Sequence, residues 1–339
     1  MIKIEHNKEL DIAMRNLILS MMEVNDYLTS VLDYMEKVLT PSKERALIEI
    51  LKKYNIPSDH LRHEVELLTE NPYFRNIRLD NVNSESVKYE RITIKKRTLI
   101  NMNFHQPMGE YLFHHHPIGY FDEDVHLPVL IEGDTVWMSP AVSEIMSMDI
   151  GIQKGYGKCM TMGLGIGVLP YLWLQKDEVE SVTIVEFNKD VIDLFTTYIQ
   201  PQFNTTKKIE VIHGNAIDYY NEEFLNQFDY VYVDFWESNE DGLEAYTKLM
   251  EKKVNLPHID FWIEDSILND LKYVLVPYLF ALYEGRSIAD FISSLDVELK
   301  PYGKKINKYF KKCANLITTE DELLHFIHNV EVLREILSQ

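Results

Sequence analysis

Cysteine is scarce in this chain: two residues in 339, Cys159 and Cys313. They stand far apart and belong to no CxxC or Cys/His spacing, which argues against a disulfide framework and a zinc ribbon. Long apolar runs are also missing, and no stretch approaches the ~18 residues of a membrane span. The start, MIKIEHNKELDIAMRN, lacks the basic head and unbroken apolar segment of an export signal, so the expectation is a cytoplasmic protein with no membrane partner. Positive charge is in deficit, with 34 Lys and Arg against 54 Asp and Glu and a formal net charge of -20. A polyanionic surface repels phosphate backbones, which counts against nucleic acid and favours small or cationic substrates, although acidity also serves simply to keep a protein dispersed. What remains is an ordinary globular balance, 46% hydrophobic and 26% charged.

The pattern divides the chain into four expected regions, 1–83, 84–150, 151–285 and 286–339. In the first, Ile12, Leu17, Ile18, Met21, Met22, Leu28, Leu32 and Met35 recur at threes and fours, giving one long or two short helices over 7–39. KERALIEILKKYN reads as a further helix after a cap in TPS, and PSDHLRHEVELLTEN as another that starts behind Pro57 with Ser58 or Asp59 as N-cap. Adjacent helices can read DNA, yet basic residues here are matched by acidic ones and form no stripe. From about residue 86, VKYERITIKKRTLINM and HLPVLIEGDTVWMS alternate like strands, the latter folded about Gly133-Asp134. Between them lie His105, His114, His115, His116 and His126 with Asp122, Glu123 and Asp124. Consecutive histidines on an extended segment face opposite sides, and nothing matches HExxH or a facial-triad spacing, so the expectation is a surface or cleft-lining loop and no metal.

Region 151–285 alternates strand and helix: KCMTMG, helix 167–176, SVTIVEF, NKDVIDLFTTYI, KIEVIHG, FDYVYVDFW and HIDFWIEDSI. That alternation predicts an α/β fold, a Rossmann-like doubly wound and mostly parallel sheet whose ligand crevice lies at the carboxyl ends of its strands. The remainder reads as a helical C-terminal extension, with no strand pair to continue the sheet. The first strand ends in Gly163, Gly165 and Gly167. Val168 stands where the third glycine of a dinucleotide-binding G-x-G-x-x-G would be, so the turn reads G-x-G-x-G, the form typical of S-adenosylmethionine sites. About twenty residues on, VTIVEF delivers Glu186 at a strand end, where one carboxylate can accept both hydroxyls of a ribose.

On these motifs, residues 158–236 resemble the core of the class I S-adenosylmethionine-dependent methyltransferases, and more narrowly their spermidine-synthase-like branch. The resemblance implies that Gly163, Gly165 and Gly167 meet the methionine part of the cofactor, Glu186 the ribose, and Asn215 with Ala216 the adenine. Asp234, ending YVYVDFW, takes the position facing the substrate, with a turn cap or a solvated carboxylate as the plainer reading. This chain departs from the pattern in three places. Thr161 replaces an acidic residue common two positions before the first glycine, Asn215-Ala216 replaces an Asp-Ala pair, and DFWESNED replaces the Asp-Ser-Ser-Asp-Pro-like run.

Two prolines that base-amine methylation uses after the fourth strand are missing, and neither cysteine sits at a strand's carboxyl end. At the mouth of the crevice the expected groups are Asp234, Phe235, Trp236, Glu237, Glu264 and Asp265, with Phe261 and Trp262 packed in the sheet. Aromatic rings among carboxylates suit an amine or a sulfonium. Asp234, or a histidine of 105–116 folded over the cleft, is the expected proton acceptor. The expectation is methyl transfer from S-adenosylmethionine to a small or cationic acceptor, with aminopropyl transfer from decarboxylated S-adenosylmethionine or a non-catalytic nucleotide-binding module as alternatives. A homodimer is left open.

Overall fold

The computed structural model describes residues 2–339 apart from 104, 105, 109, 110, 112, 116 and 140, and at 106–108 and 114 the backbone only. At its centre lies a five-stranded sheet, every pair parallel, built from Gly157–Met162, Val179–Glu186, Lys208–His213, Tyr230–Val233 and Ile259–Phe261. Their spatial order is third, second, first, fourth, fifth. The chain therefore builds outward on one side, returns past its first strand, and builds outward on the other. This reversal opens a crevice between the first and fourth strands at their carboxyl ends. Cys159, Met160, Thr161 and Met162 are all buried, as a strand covered on both faces requires.

Helical segments connect the strands. Val168–Leu174 follows the first, Lys189–Leu194 runs on as a π turn over Phe195–Ile199 after the second, and two one-turn helices, Ala216–Tyr219 and Glu222–Leu225, follow the third. Asn239–Glu251 follows the fourth and opens on a capping box in which Ser238 and Asp241 satisfy each other's backbone N–H. The fifth strand is shorter than HIDFWIEDSI suggests. Ile263 adopts φ +47 and the helix Glu264–Tyr283 begins at once, so Trp262 leaves the sheet plane.

The N-terminal region starts with one helix, Lys8–Leu32, capped by Asn7, whose side chain accepts from the Leu10 N–H. Its buried stripe is Leu10, Ala13, Met14, Leu17, Val24, Tyr27 and Val31, while Ile12, Met22 and Leu32 are exposed, so the inward face is turned from the expected one. Pro41–Lys53 follows behind its Thr40 cap. The helix expected from Pro57 is confined to Glu66–Thr69. Arg62–His63 instead pairs in parallel with Tyr120–Phe121, and the Tyr120 N–H donates to the Leu61 carbonyl, so a long-range strand pairing overrides local helix propensity.

Val87–Ile94 and Val125–Glu132 pair antiparallel along their full length, and a two-residue loop with Gly133 at φ +60 turns the latter into Thr135–Met138. Beyond the core, Ile288–Ser294, Lys300–Lys312, Glu320–His328 and Val330–Leu337 pack around Glu264–Tyr283. The C-terminal part is not wholly helical, because Leu316–Ile317 pairs in parallel with Lys3–Ile4 and ties the two ends of the chain together.

Candidate active site

A cavity of about 490 Å³ occupies the crevice at the carboxyl ends of the first, second and fourth strands. Gly163, Gly165, Glu186, Asn215, Ala216 and Asp234 all line it. Gly163 has φ +105, and a methyl group there would lie 1.7 Å from the Asp234 carbonyl oxygen, so glycine is required for the two strand ends to approach. Gly165, at φ +53, faces the sulfur of Met138, which reaches over from the N-terminal hairpin and accepts from the Ile166 N–H at 3.2 Å. Gly167 does not line the cavity. It caps Val168–Leu174 with φ +77, and a side chain there would strike Phe195 at 2.6 Å, so glycine is needed there for helix packing.

Glu186 ends the second strand with both oxygens engaged by backbone: Oε2 accepts from the Leu164 N–H at 3.1 Å and Oε1 from the Asn188 N–H at 2.7 Å. The carboxylate thus braces the glycine turn, and each oxygen keeps a lone pair for a further donor. Burial raises its pKa, against the lowering effect of those N–H groups. Asn215 caps the next helix through Oδ1, which accepts from the Ile217 N–H at 3.0 Å, and keeps its amide N–H groups for a ligand.

Asp234 is positioned by its own backbone, whose N–H donates to the Met162 carbonyl at 2.8 Å. Among the described residues no donor reaches its carboxyl group, and burial alone pushes its pKa up to about 7. Its neighbour in effect is Glu144, a residue the sequence reading passed over. Glu144 sits on Val142–Ser147, lines the same cavity, and accepts from the Ser139 N–H at 3.2 and 3.3 Å. Burial, with a further contribution from the charge of Asp234, raises it to about 8. The one available signal was an acidic residue in the connection leading from the hairpin to the first core strand. Glu132 is a fourth carboxylate in the wall, held by the Asn188 amide at 3.0 Å.

No Lys, Arg or His lines the cavity among the described residues. Trp137, Phe235, Trp236 and Trp262 supply aromatic walls, and the rings of Phe235 and Trp236 meet edge to face at 5.2 Å. Trp262, expected in the sheet, turns into the wall and donates from Nε1 to Ser147 Oγ at 2.8 Å. The Nε1–H of Trp236 is buried without an acceptor among the described residues. Thr161 is buried in the cavity wall and donates to the Gly163 carbonyl at 3.3 Å, so it is part of the turn and supplies no charge.

The other expected mouth residues lie elsewhere. Glu264 accepts from Tyr246 and, through 2.7–3.0 Å contacts, from Arg334; neither it nor Asp265 nor Glu237 lines the cavity. His115 packs edge-on against Tyr27 and His126 bonds Thr93 at 2.9 Å, while His105 and His116 lie outside the described residues. No described group of three His, Cys, Asp or Glu gathers to hold a metal ion.

No family model matches this chain, and no curated protein does. Among solved structures it is similar to spermidine synthase from Thermotoga maritima, at 17% identity over 37% of this chain and 47% of that one, with a TM-score of 0.28. A spermidine synthase in complex with the transition-state analogue AdoDATO gives 18% identity over 37% and 48% and the same TM-score of 0.28. A Staphylococcus aureus protein assigned as a caffeoyl-CoA O-methyltransferase gives 16% over 49% and 73%, with a TM-score of 0.24. The match spans about half the length of the two spermidine synthases. At these scores the geometry of the site itself carries the functional reading.

Proposed function

We propose that this protein transfers an alkyl group from a sulfonium nucleoside, S-adenosylmethionine in the first instance, to the nitrogen of a small amine. One observation carries the proposal: a nucleoside-sized cavity at the switch point of a parallel sheet whose two raised carboxyls, Asp234 and Glu144, have no basic side chain opposite them among the described residues. Two carboxyls held near neutrality by burial lack a counter-charge, and a bound cation is what would supply it.

The residues present fit such a cofactor. Glu186 offers acceptors for the ribose hydroxyls, Asn215 and Ala216 an amide and an apolar edge for adenine, and the glycine turn a close backbone approach. The cofactor would contribute an electrophilic carbon bonded to positive sulfur. Asp234 would hold the acceptor amine and take the proton it loses, while the cofactor would supply the alkyl carbon, its C–S bond giving way to the new N–C bond with a neutral thioether as leaving group. The rings of Phe235, Trp236 and Trp262 exclude water and favour positive charge by cation–π attraction.

A second reading is favoured by the same lack of basic residues. S-adenosylmethionine carries a carboxylate of its own, whereas its decarboxylated form is wholly cationic, and four wall carboxylates suit the latter. Aminopropyl transfer is then the reaction.

Calorimetry with S-adenosylmethionine, its decarboxylated form, S-adenosylhomocysteine and methylthioadenosine tests both. Binding of a sulfonium more tightly than its thioether, with proton release that makes the heat depend on buffer near pH 7, is the expected result. If none of the four binds, both readings fail; binding with no turnover of any amine would leave a nucleotide-binding module. A methylated or an aminopropylated amine product, identified by mass, decides between the two reactions.

A further inference from the structure

A second cleft, of about 490 Å³, lies between the segment 73–80 and the paired Arg91 and Pro128 of the antiparallel sheet. Its wall carries Arg75, Arg78 and Arg91. The chain has nine arginines. Arg62, Arg97, Arg286 and Arg334 all pair with carboxylates. Among the described residues the other five pair with none, and three of them, Arg75, Arg78 and Arg91, meet in this cleft, where no acceptor takes a hydrogen bond from their guanidinium groups. Among the described residues the only carboxylate lining the cleft is that of Asp80, leaving a local excess of two positive charges on a protein of net charge -20.

Three uncommitted guanidinium groups around a concavity are the usual answer to a phosphate, since each presents a planar fork of N–H donors that cannot lose its charge. The backbone under them is preformed. Gln202 brackets Arg78 on both sides, accepting from its N–H at 2.9 Å and donating to its carbonyl at 2.8 Å. The Arg91 N–H donates to Asn81 Oδ1 at 3.1 Å. Tyr73, in the same wall, donates to the Ile166 carbonyl at 2.5 Å and so fixes the cleft against the glycine turn. Phe74, half-buried in the same wall, adds an apolar side larger than a bare phosphate needs, whereas Ile77, Leu79 and Pro128 are buried.

We infer that this cleft binds an organic diphosphate, with the arginines on the phosphates and the apolar side against the organic part. The inference is independent of the reaction proposed for the main cavity, whose wall is acidic and would repel such a ligand.

Titration of the full chain with inorganic pyrophosphate and, separately, with ADP tests it. Saturable 1:1 binding of ADP is expected, weakened as salt is raised, with pyrophosphate alone binding more weakly because it leaves the apolar side uncovered. Arg75→Gln, Arg78→Gln and Arg91→Gln should each lower affinity by roughly tenfold or more, the worth of a charged hydrogen bond. Arg45→Gln, an exposed and unpaired arginine on Pro41–Lys53 outside the cleft, should leave it unchanged. The three arginines are exposed, and an unaltered thermal melt in each variant separates lost binding from lost folding. Absence of binding by both probes, or equal loss in the Arg45 variant, would overturn the inference. Equal binding of pyrophosphate and ADP would overturn the role given to the apolar side.

Discussion

At Gly163 two unrelated demands meet, a left-handed backbone and a strand end with no room for a Cβ. Gly163→Ala should therefore cost about 3 kcal/mol or more in urea unfolding, combining backbone strain with a clash against backbone that cannot rotate away. Gly133→Ala is the matched control, with the same sign of φ but nothing within 4 Å, and should cost about 1 kcal/mol. The two carboxyls of the cavity make a prediction of opposite sign. In the folded, ligand-free protein Asp234 and Glu144 keep protons until about pH 7 and 8, whereas the unfolded chain has already released them. Wherever the folded state binds more protons, stability falls as pH rises, so these groups cost stability progressively up to that range. His328, depressed by burial from 6.5 to about 4, acts in the opposite sense below pH 6.5, which makes the variant-minus-wild-type difference between pH 6.5 and 8 the clean measure. Asp234→Asn and Glu144→Gln should melt a few degrees above wild type at pH 8 and converge with it at lower pH, while losing affinity for a sulfonium ligand. Parallel melting curves at both pH values would contradict the assigned protonation.

Among the elements, the last helix does more than cover the core. Arg334 of Val330–Leu337 reaches Glu264 at the start of Glu264–Tyr283 with Nε at 2.9 Å and Nη2 at 2.7 and 3.0 Å, and Tyr246 of Asn239–Glu251 donates to the same carboxylate. One ion pair thus fastens three helices beside the fifth strand, with the guanidinium also 5.6 Å from the centre of the Phe261 ring. Removing one partner of a largely buried pair leaves the other charge uncompensated, so Arg334→Ala should lose about 3 kcal/mol in chemical denaturation. Glu264→Gln in the Arg334→Ala background should recover part of it. If the double variant is no more stable than the single, the pair is not coupled as described. The segment 57–71 carries the opposite lesson: its helical periodicity is real, but Leu61 is buried and Arg62–His63 gain backbone partners beside Tyr120–Phe121 that an isolated helix could not give them.

Over the whole molecule, an acidic protein holds an acidic cavity, and the two fields add at long range. Association of a cationic ligand should slow as ionic strength rises towards ~1 M, where the Debye length shrinks to about 3 Å. Stopped-flow rates for a sulfonium ligand and for neutral methylthioadenosine would separate this steering from non-specific salt effects, because only the former should respond. A salt-independent rate for both would mean that the field does not reach the entrance.

The sequence by itself determined the α/β core. Strands with unbroken apolar character alternate with helical segments, and Gly163 announces itself because only glycine fits so close a strand-end approach. Only the tertiary structure decided which residues share the cavity. Glu144 arrives from a short helix in the connection ahead of the first core strand, Trp262 turns out of the sheet at Ile263, Glu264 is claimed by Arg334, and Gly167 is kept by Phe195. Each of those outcomes depends on a contact between residues distant in sequence. Local pattern records the period of an element and the chemistry of a side chain, but holds no term for the neighbour that will face it.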